Sequence, residues 1–199
     1  MWEYINRFRA RPEFEDKLDH LYGCSTWRDG REIKDRTERK NFFFDLYKNQ
    51  LKSAGAKEVV QFELYQKSRL KYAIFFGTQE LKGSDKMKQA IWQAAPTPST
   101  SGLAYRGTRS QGSHQLTLGL DSPDFSPLKQ ALQEEFRGRG YVTINEIQDF
   151  VASDRTDYHT GRLKRSVLKP MEKASEIEVD DRSRKKRGTY PDGTRICFP

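Results

Sequence analysis

Between Pro96 and Asp124 the chain reads PTPSTSGLAYRGTRSQGSHQLTLGLDSPD, dense in Pro, Gly, Ser and Thr and without a helical or long strand period. Proline lacks a backbone donor, glycine loses the most backbone entropy on ordering, and short hydroxyl side chains compete for backbone hydrogen bonds. Such a run does not sustain a packed element. In a chain of 199 residues a break of this length leaves room for one small folded region on each side. The sequence therefore predicts a first region over 1–95, a linker over 96–124 with at most a short strand at HQLTLGL, and a second region over 125–199.

In the first region, Trp2, Ile5 and Phe8 recur at roughly helical spacing. RPEFEDKLDHLYG follows, with Pro12 suited to a first turn, Phe14, Leu18 and Leu21 on one face, and Gly23 as the stop. CSTWRDG reads as a loop. A long helix is expected over 31–54, with Phe43, Tyr47 and Leu51 at i, i+4 and i+8 and Gly55 ending it. The period then changes. KEVVQFELY alternates, with Val60, Phe62 and Leu64 on one face and Gln61 and Glu63 on the other, as in a half-buried strand. LKYAIFFGT is apolar almost throughout, as in a strand interior to a sheet. GSDKMKQAIWQAA predicts a helix capped by Ser84, with Asp85 at the positive end of its dipole and Met87, Ile91 and Ala94 buried.

The second region opens with SPLKQALQEEF, where Ser126 caps, Pro127 takes the first turn, and Leu128, Leu132 and Phe136 share a face. Tyr141 and Val142 give a short strand. Thr143 and Glu146 have the spacing of a capping box for a helix that buries Ile147, Phe150 and Val151. A third helix is expected in DRTDYHTGRLKRSVLKPMEKAS through Leu163, Val167 and Met171, kinked or ended at Pro170. EIEVD and TRICF are two alternating strands joined by the basic stretch RSRKKRGTYPDG. Helix, strand, two helices and a hairpin is the order of a winged helix-turn-helix, in which the second helix of the motif enters the major groove and the hairpin touches the backbone beside it.

Charge points the same way. The formal net charge is +8 and the isoelectric point near 9.4, a balance that favours an anionic partner. Twelve Phe and nine Tyr argue against wholesale disorder. Cations gather from Arg155 onward, on the third helix and the hairpin tip. His159, Thr160, Arg162, Lys164 and Arg165, with Thr156 nearby, are the candidates for base or backbone contact, and Arg184, Lys185, Lys186 and Arg187 for phosphates. DNA is favoured over RNA. A protein-interaction module and a merely solvated basic loop stand as alternatives, and His159 by itself reads as a surface or capping residue. Cys24 and Cys197 stand far apart with no CxxC, so neither a zinc site nor a disulfide framework is indicated. No apolar run approaches the roughly 20 residues of a membrane span, and the N-terminus lacks the apolar core of a signal peptide. The expectation is a soluble, cytoplasmic chain with no cofactor, no metal site and no catalytic constellation.

Three stretches in order, YINRF near the start, FFGTQELKGSDKMKQAIW over 75–92 and GTYPDGTRICF over 188–198, resemble the three-Cys-motif partner (TcmP) family. The resemblance implies a Rossmann-like domain similar to class I methyltransferases, then a winged helix, and a radical-SAM-like protein as partner. In that frame KEVVQFELY and LKYAIFFGT are the terminal strand pair of a methyltransferase sheet. The Gly-rich loop that would hold S-adenosylmethionine is not found: no strand runs into a G-x-G turn, and no acidic residue follows at the ribose-binding distance. The predicted fold is thus α/β, an incomplete methyltransferase-like Rossmann remnant of helices plus a two-stranded pair, followed by a winged helix-turn-helix domain. Either Met1 begins a truncated form or a separate chain supplies the other half. Tyr4, Asn6 and Arg7 are polar enough to edge a substrate pocket, against the simpler reading of a helix packed through Trp2, Ile5 and Phe8. The expected function is nucleic-acid binding through the winged helix. A fragment of a methyltransferase-like enzyme, or a docking module for the radical-SAM-like partner, is the alternative.

Overall fold

The structure, a computed structural model, describes residues 5, 7, 9–66, 69–94, 104–106 and 124–199, with the backbone alone at 65, 66, 69 and 104–106. Trp2, Tyr4, Asn6 and Phe8, and the expected strand at HQLTLGL, lie outside these residues. The architecture is mixed α/β in two compact units, Met1–Gln79 with Ser101–Gln115, and Glu80–Thr100 with Leu116–Pro199. Among the described residues no helix is long and apolar enough to cross a membrane.

In the first unit a 3-10 turn at Pro12–Phe14 leads into α1 (Glu15–Tyr22), which Gly23 ends in the left-handed conformation at φ 64°. The stretch read as a loop is a 3-10 segment, Thr26–Arg31, that buries Trp27 completely. Arg28 and Arg31 stack on its indole at 4.8 and 4.7 Å, and Asp19 accepts its Nε1–H at 2.7 Å. Gly30 permits the close approach of the next helix, since a Cβ there would lie 2.8 Å from Phe43 Cζ. That helix, α2 (Arg36–Ser53), is capped by Asp35, whose carboxylate accepts from Glu38 N at 2.7 Å.

The strands β1 (Glu58–Gln66) and β2 (Arg69–Thr78) pair antiparallel, and a short β3 (Ala104–Arg106) runs parallel to β1 on its other edge. The register sets Val60 opposite Phe76, Phe62 opposite Ile74 and Leu64 opposite Tyr72, so one face of the pair is apolar from Val60 to Leu64. Helix α2 packs on the other face. Phe44 and Tyr47 meet Phe75 at 5.5 and 5.0 Å, and Lys40 Nζ reaches the Glu63 carboxylate at 3.0 Å. Glu63 is therefore buried at 3% exposure, and Gln61 donates to it at 2.9 Å. The alternation correctly separates the two faces, but the Gln61–Glu63 face is not the solvent face, because α2 brings a cation to it.

The second unit begins earlier than the composition implies. Helix α3 (Leu81–Ala94), which the sequence attaches to the first region, packs here. It starts before Ser84, so Ser84 is not its cap, and its buried side is Ser84, Lys88, Ile91 and Trp92. Ala94 is exposed and Met87 half-buried. Next comes α4 (Ser126–Phe136), buried through Leu128, Leu132 and Phe136, with the Asp124 carboxylate, not Ser126, accepting at its N-terminus. Strand β4 (Tyr141–Thr143) runs into α5 (Ile144–Ala152) through a complete capping box between Thr143 and Glu146.

A helical run over 160–173, α6, is built from a 3-10 turn (Thr160–Arg162), a π-helical turn (Leu163–Leu168) and an α-helical turn (Lys169–Lys173). Pro170 does not end it. Pro has no N–H to give the preceding turn, and the backbone absorbs the loss by widening: Lys169 N donates five residues back, to Lys164 O. Finally β5 (Glu178–Val179) and β6 (Arg195–Cys197) pair antiparallel, and β6 lies between β4 and β5. Leu132, Ile147, Val151, Leu163, Val167 and Ile196 are fully buried and form the heart of this unit.

Candidate nucleic-acid interface

Helix α6 has an apolar side and a cationic one. Leu163, Val167, Leu168 and Met171 are fully buried. The exposed side chains from Arg162 to Lys173 are Arg162, Arg165, Lys169 and Lys173, all cations, with Lys164 half-buried. Among the described residues no carboxylate forms an ion pair with any of these four. The spacing of three or four residues per exposed position is that of one side of a helix, so the charges form a single stripe.

The loop between β5 and β6 continues that stripe. Gly188 has φ 75°, and a Cβ there would lie 3.6 Å from Lys169 Cε, so the loop backbone runs along the Lys169 side chain. Lys185, Lys186 and Arg187 project from it, exposed. Arg184 does not. Its side chain is 3% exposed and grips Glu172 of α6 with both terminal nitrogens, at 3.0 and 2.7 Å, and Asp181 at 2.7 Å. Tyr190 donates to the same Glu172 carboxylate at 2.6 Å, and Arg187 Nε at 3.3 Å. With these donors around it, chiefly the Arg184 guanidinium, Glu172 is held down to about 2. The carboxylate in turn raises the Arg184 value, and burial raises that of Tyr190. Glu172 is thus the post that ties the loop to α6. Beside it an open cleft of about 690 Å³ is lined by Arg182, Arg184, Lys185, Thr189 and Tyr190.

The start of α6 is different. Thr156 is buried and donates to Val151 O at 2.9 Å. His159 is 8% exposed, its Nδ1 accepts from Gly161 N at 3.2 Å, and its ring meets Trp92 edge-on at 5.8 Å. Burial pushes His159 below the ordinary histidine value. Thr160 donates its N–H to Asp85 Oδ1 at 2.7 Å and its hydroxyl to Asp85 Oδ2 at 2.9 Å. Helix α3 supplies that carboxylate and also Lys88, 1% exposed, whose Nζ donates to Val151 O, Ser153 O and Thr156 O at 2.5, 2.8 and 3.2 Å. An ammonium has three N–H bonds, and three carbonyls at the end of α5 receive them. Trp92 Nε1 completes the clamp by donating to Asp157 O at 2.9 Å.

Of the candidate residues, Arg162, Arg165, Lys185, Lys186 and Arg187 are exposed, and Lys164 is half-buried. His159 and Arg184 are built into the interior, and Thr160 is occupied by Asp85. Lys169 and Lys173 are not among the sequence candidates, although their four-residue spacing from Arg165 places them opposite the Leu163 stripe in the sequence itself. Cys24 and Cys197 are free, half-buried thiols. No family model matches the chain, and no curated protein and no solved structure matches it either.

Proposed function

We propose that the second unit is a winged helix-turn-helix that binds nucleic acid, duplex DNA in preference to RNA, through the outer stripe of α6 and the loop over 185–187. One observation carries this reading: the exposed side chains from Arg162 to Lys173 are all cations without a described counter-charge, and the loop that touches Lys169 adds Lys185 and Lys186, with Arg187 exposed beside them although paired to Glu172. Phosphates are the natural partner of such an array, because each neutralised phosphate releases condensed counterions. The order α4, β4, α5, α6, β5, β6 supports the winged-helix assignment. Membership of the TcmP family is proposed with it on residues 75–92 and 188–198, and the antiparallel β1–β2 pair supports reading the first unit as the end of a methyltransferase-like sheet.

The test is fluorescence anisotropy of the chain on duplex DNA and on structured RNA across a salt series. The duplex should bind more tightly, with a steep slope. Lys185→Glu and Lys186→Glu together should lower affinity and flatten the slope by about 0.9 for each phosphate no longer neutralised. Arg184 and Arg187 stay unchanged in this variant, since a carboxylate at either would face Glu172. Unaltered binding by the double variant removes the loop from the site.

A second reading concerns the first unit. Tyr72 and Ile74 stand 62% and 42% exposed on the apolar face of the strand pair, which favours a protein that covers them, the radical-SAM-like partner being the one the family resemblance names. Co-purification of such a protein, lost on Tyr72→Lys, supports this reading. Co-purification unaffected by that substitution removes this face as the docking surface.

A further inference from the structure

Resting on the nucleic-acid reading above, we infer that this site holds the nucleic-acid backbone without reading base sequence. A helix-turn-helix reads bases with polar side chains near the start of its second helix, aimed at the groove floor. At the start of α6 those side chains are Thr156 and His159, just before it, and Thr160, its first residue, and none is available. Thr156 and His159 are each 8% exposed. Both Thr160 donors end on Asp85, so neither is left for a base edge or a phosphate. Freeing this end means lifting α3, and α3 is fastened by the three Lys88 bonds and by Trp92.

What remains facing outward is cationic. Lys169, Lys173, Lys185 and Lys186 are compact point charges that suit a phosphate and carry no pattern for a base pair. Arg162 and Arg165 could in principle fork onto guanine, but base readout needs the guanidinium fixed by a supporting acceptor. Among the described residues neither has a partner that would fix it. The ligand class is therefore duplex of any sequence, bound through its phosphates.

The experiment is selection of bound duplexes from a pool randomised over about 20 base pairs, using the full chain near physiological salt. No motif should emerge, and unrelated duplexes should bind within about threefold of one another with the same salt slope. An enriched motif bound more than about tenfold over the pool overturns this inference and leaves the nucleic-acid reading standing. Absence of binding to the starting pool overturns both, and that is seen before the first round. As a second arm, Arg162→Lys with Arg165→Lys should leave the selected profile unchanged. A profile that shifts with those two substitutions would show that the arginines read bases.

Discussion

The two ends of the α6 surface use the same kind of side chain in opposite ways. At the end covered by α3, Lys88 is surrounded by three carbonyls and Thr160 by both oxygens of Asp85. Along the outer flank, Arg162, Arg165, Lys169 and Lys173 meet no described carboxylate. The contrast is sharpest between neighbours: Arg184 is 3% exposed on Glu172, and Lys185, the next residue, is in solvent. The first unit repeats the inward pattern, with Arg28 on Asp19 and Glu15 and Arg31 on Glu15. A local excess of positive charge therefore does not define a binding surface. On the nucleic-acid reading proposed above, that surface is defined by the cations folding leaves in solvent, most of them with no described acceptor. Substitutions on the inward side should change stability and leave the salt slope alone, and those on the outer flank should do the reverse.

The largest effect is expected at Lys88. Lys88→Met keeps the volume but leaves three buried carbonyls without their donor, which should cost about 4 kcal/mol of stability. Urea unfolding measures it, and a loss under about 1 kcal/mol would mean that water satisfies those carbonyls equally well. Next comes the Arg184–Glu172 pair. Arg184→Ala strands a buried carboxylate and should cost about 3 kcal/mol. Its pH dependence has a definite sign. The folded value of Glu172 is about 2, against an ordinary 4.5, so the folded state favours the ionised form. The stabilisation is complete above about pH 4.5, is lost as pH falls toward 2, and disappears below it. In Arg184→Ala that acid limb should shrink, and an unchanged limb would assign it to other carboxylates.

These inward features are the ones that local sequence conceals. The apolar stripe of α4 at Leu128, Leu132 and Phe136 and the capping box of α5 are legible because period and cap lie within a few residues of each other. The docking of α3 is not, because its buried side has Lys88 at its centre, and only carbonyls more than sixty residues away in the chain make a lysine acceptable there. Reading Met87, Ile91 and Ala94 as its buried face follows apolarity where the packing follows hydrogen bonds. In RSRKKR nothing local marks Arg184 for burial, since Glu172, which of this run only Arg184 grips with both terminal nitrogens, sits on another element. The widened turn before Pro170 is a similar case: the missing donor is visible in sequence, but whether the helix stops or relaxes depends on Leu168 and Met171 being buried on either side. The cationic flank is half legible, through Arg162 and Arg165, and its continuation to Lys169 and Lys173 needs only the same spacing carried two turns further.

The smallest effect on stability, and the most diagnostic for the comparison, belongs to Lys169. Its side chain is exposed, and its neighbour Gly188 is a loop backbone rather than a charge. Lys169→Ala should change unfolding free energy by less than about 0.5 kcal/mol. It should still lower duplex affinity and reduce the magnitude of the salt slope by about 0.9, the signature of one neutralised phosphate. Lys169 lies where stripe and loop meet, so removing it should cost as much slope as removing Lys185 from the loop tip. If stability falls by about 2 kcal/mol or more, as for an inward-facing group, Lys169 belongs with Lys88 and Arg184. The boundary between folding charges and binding charges would then run along the loop instead of along α6.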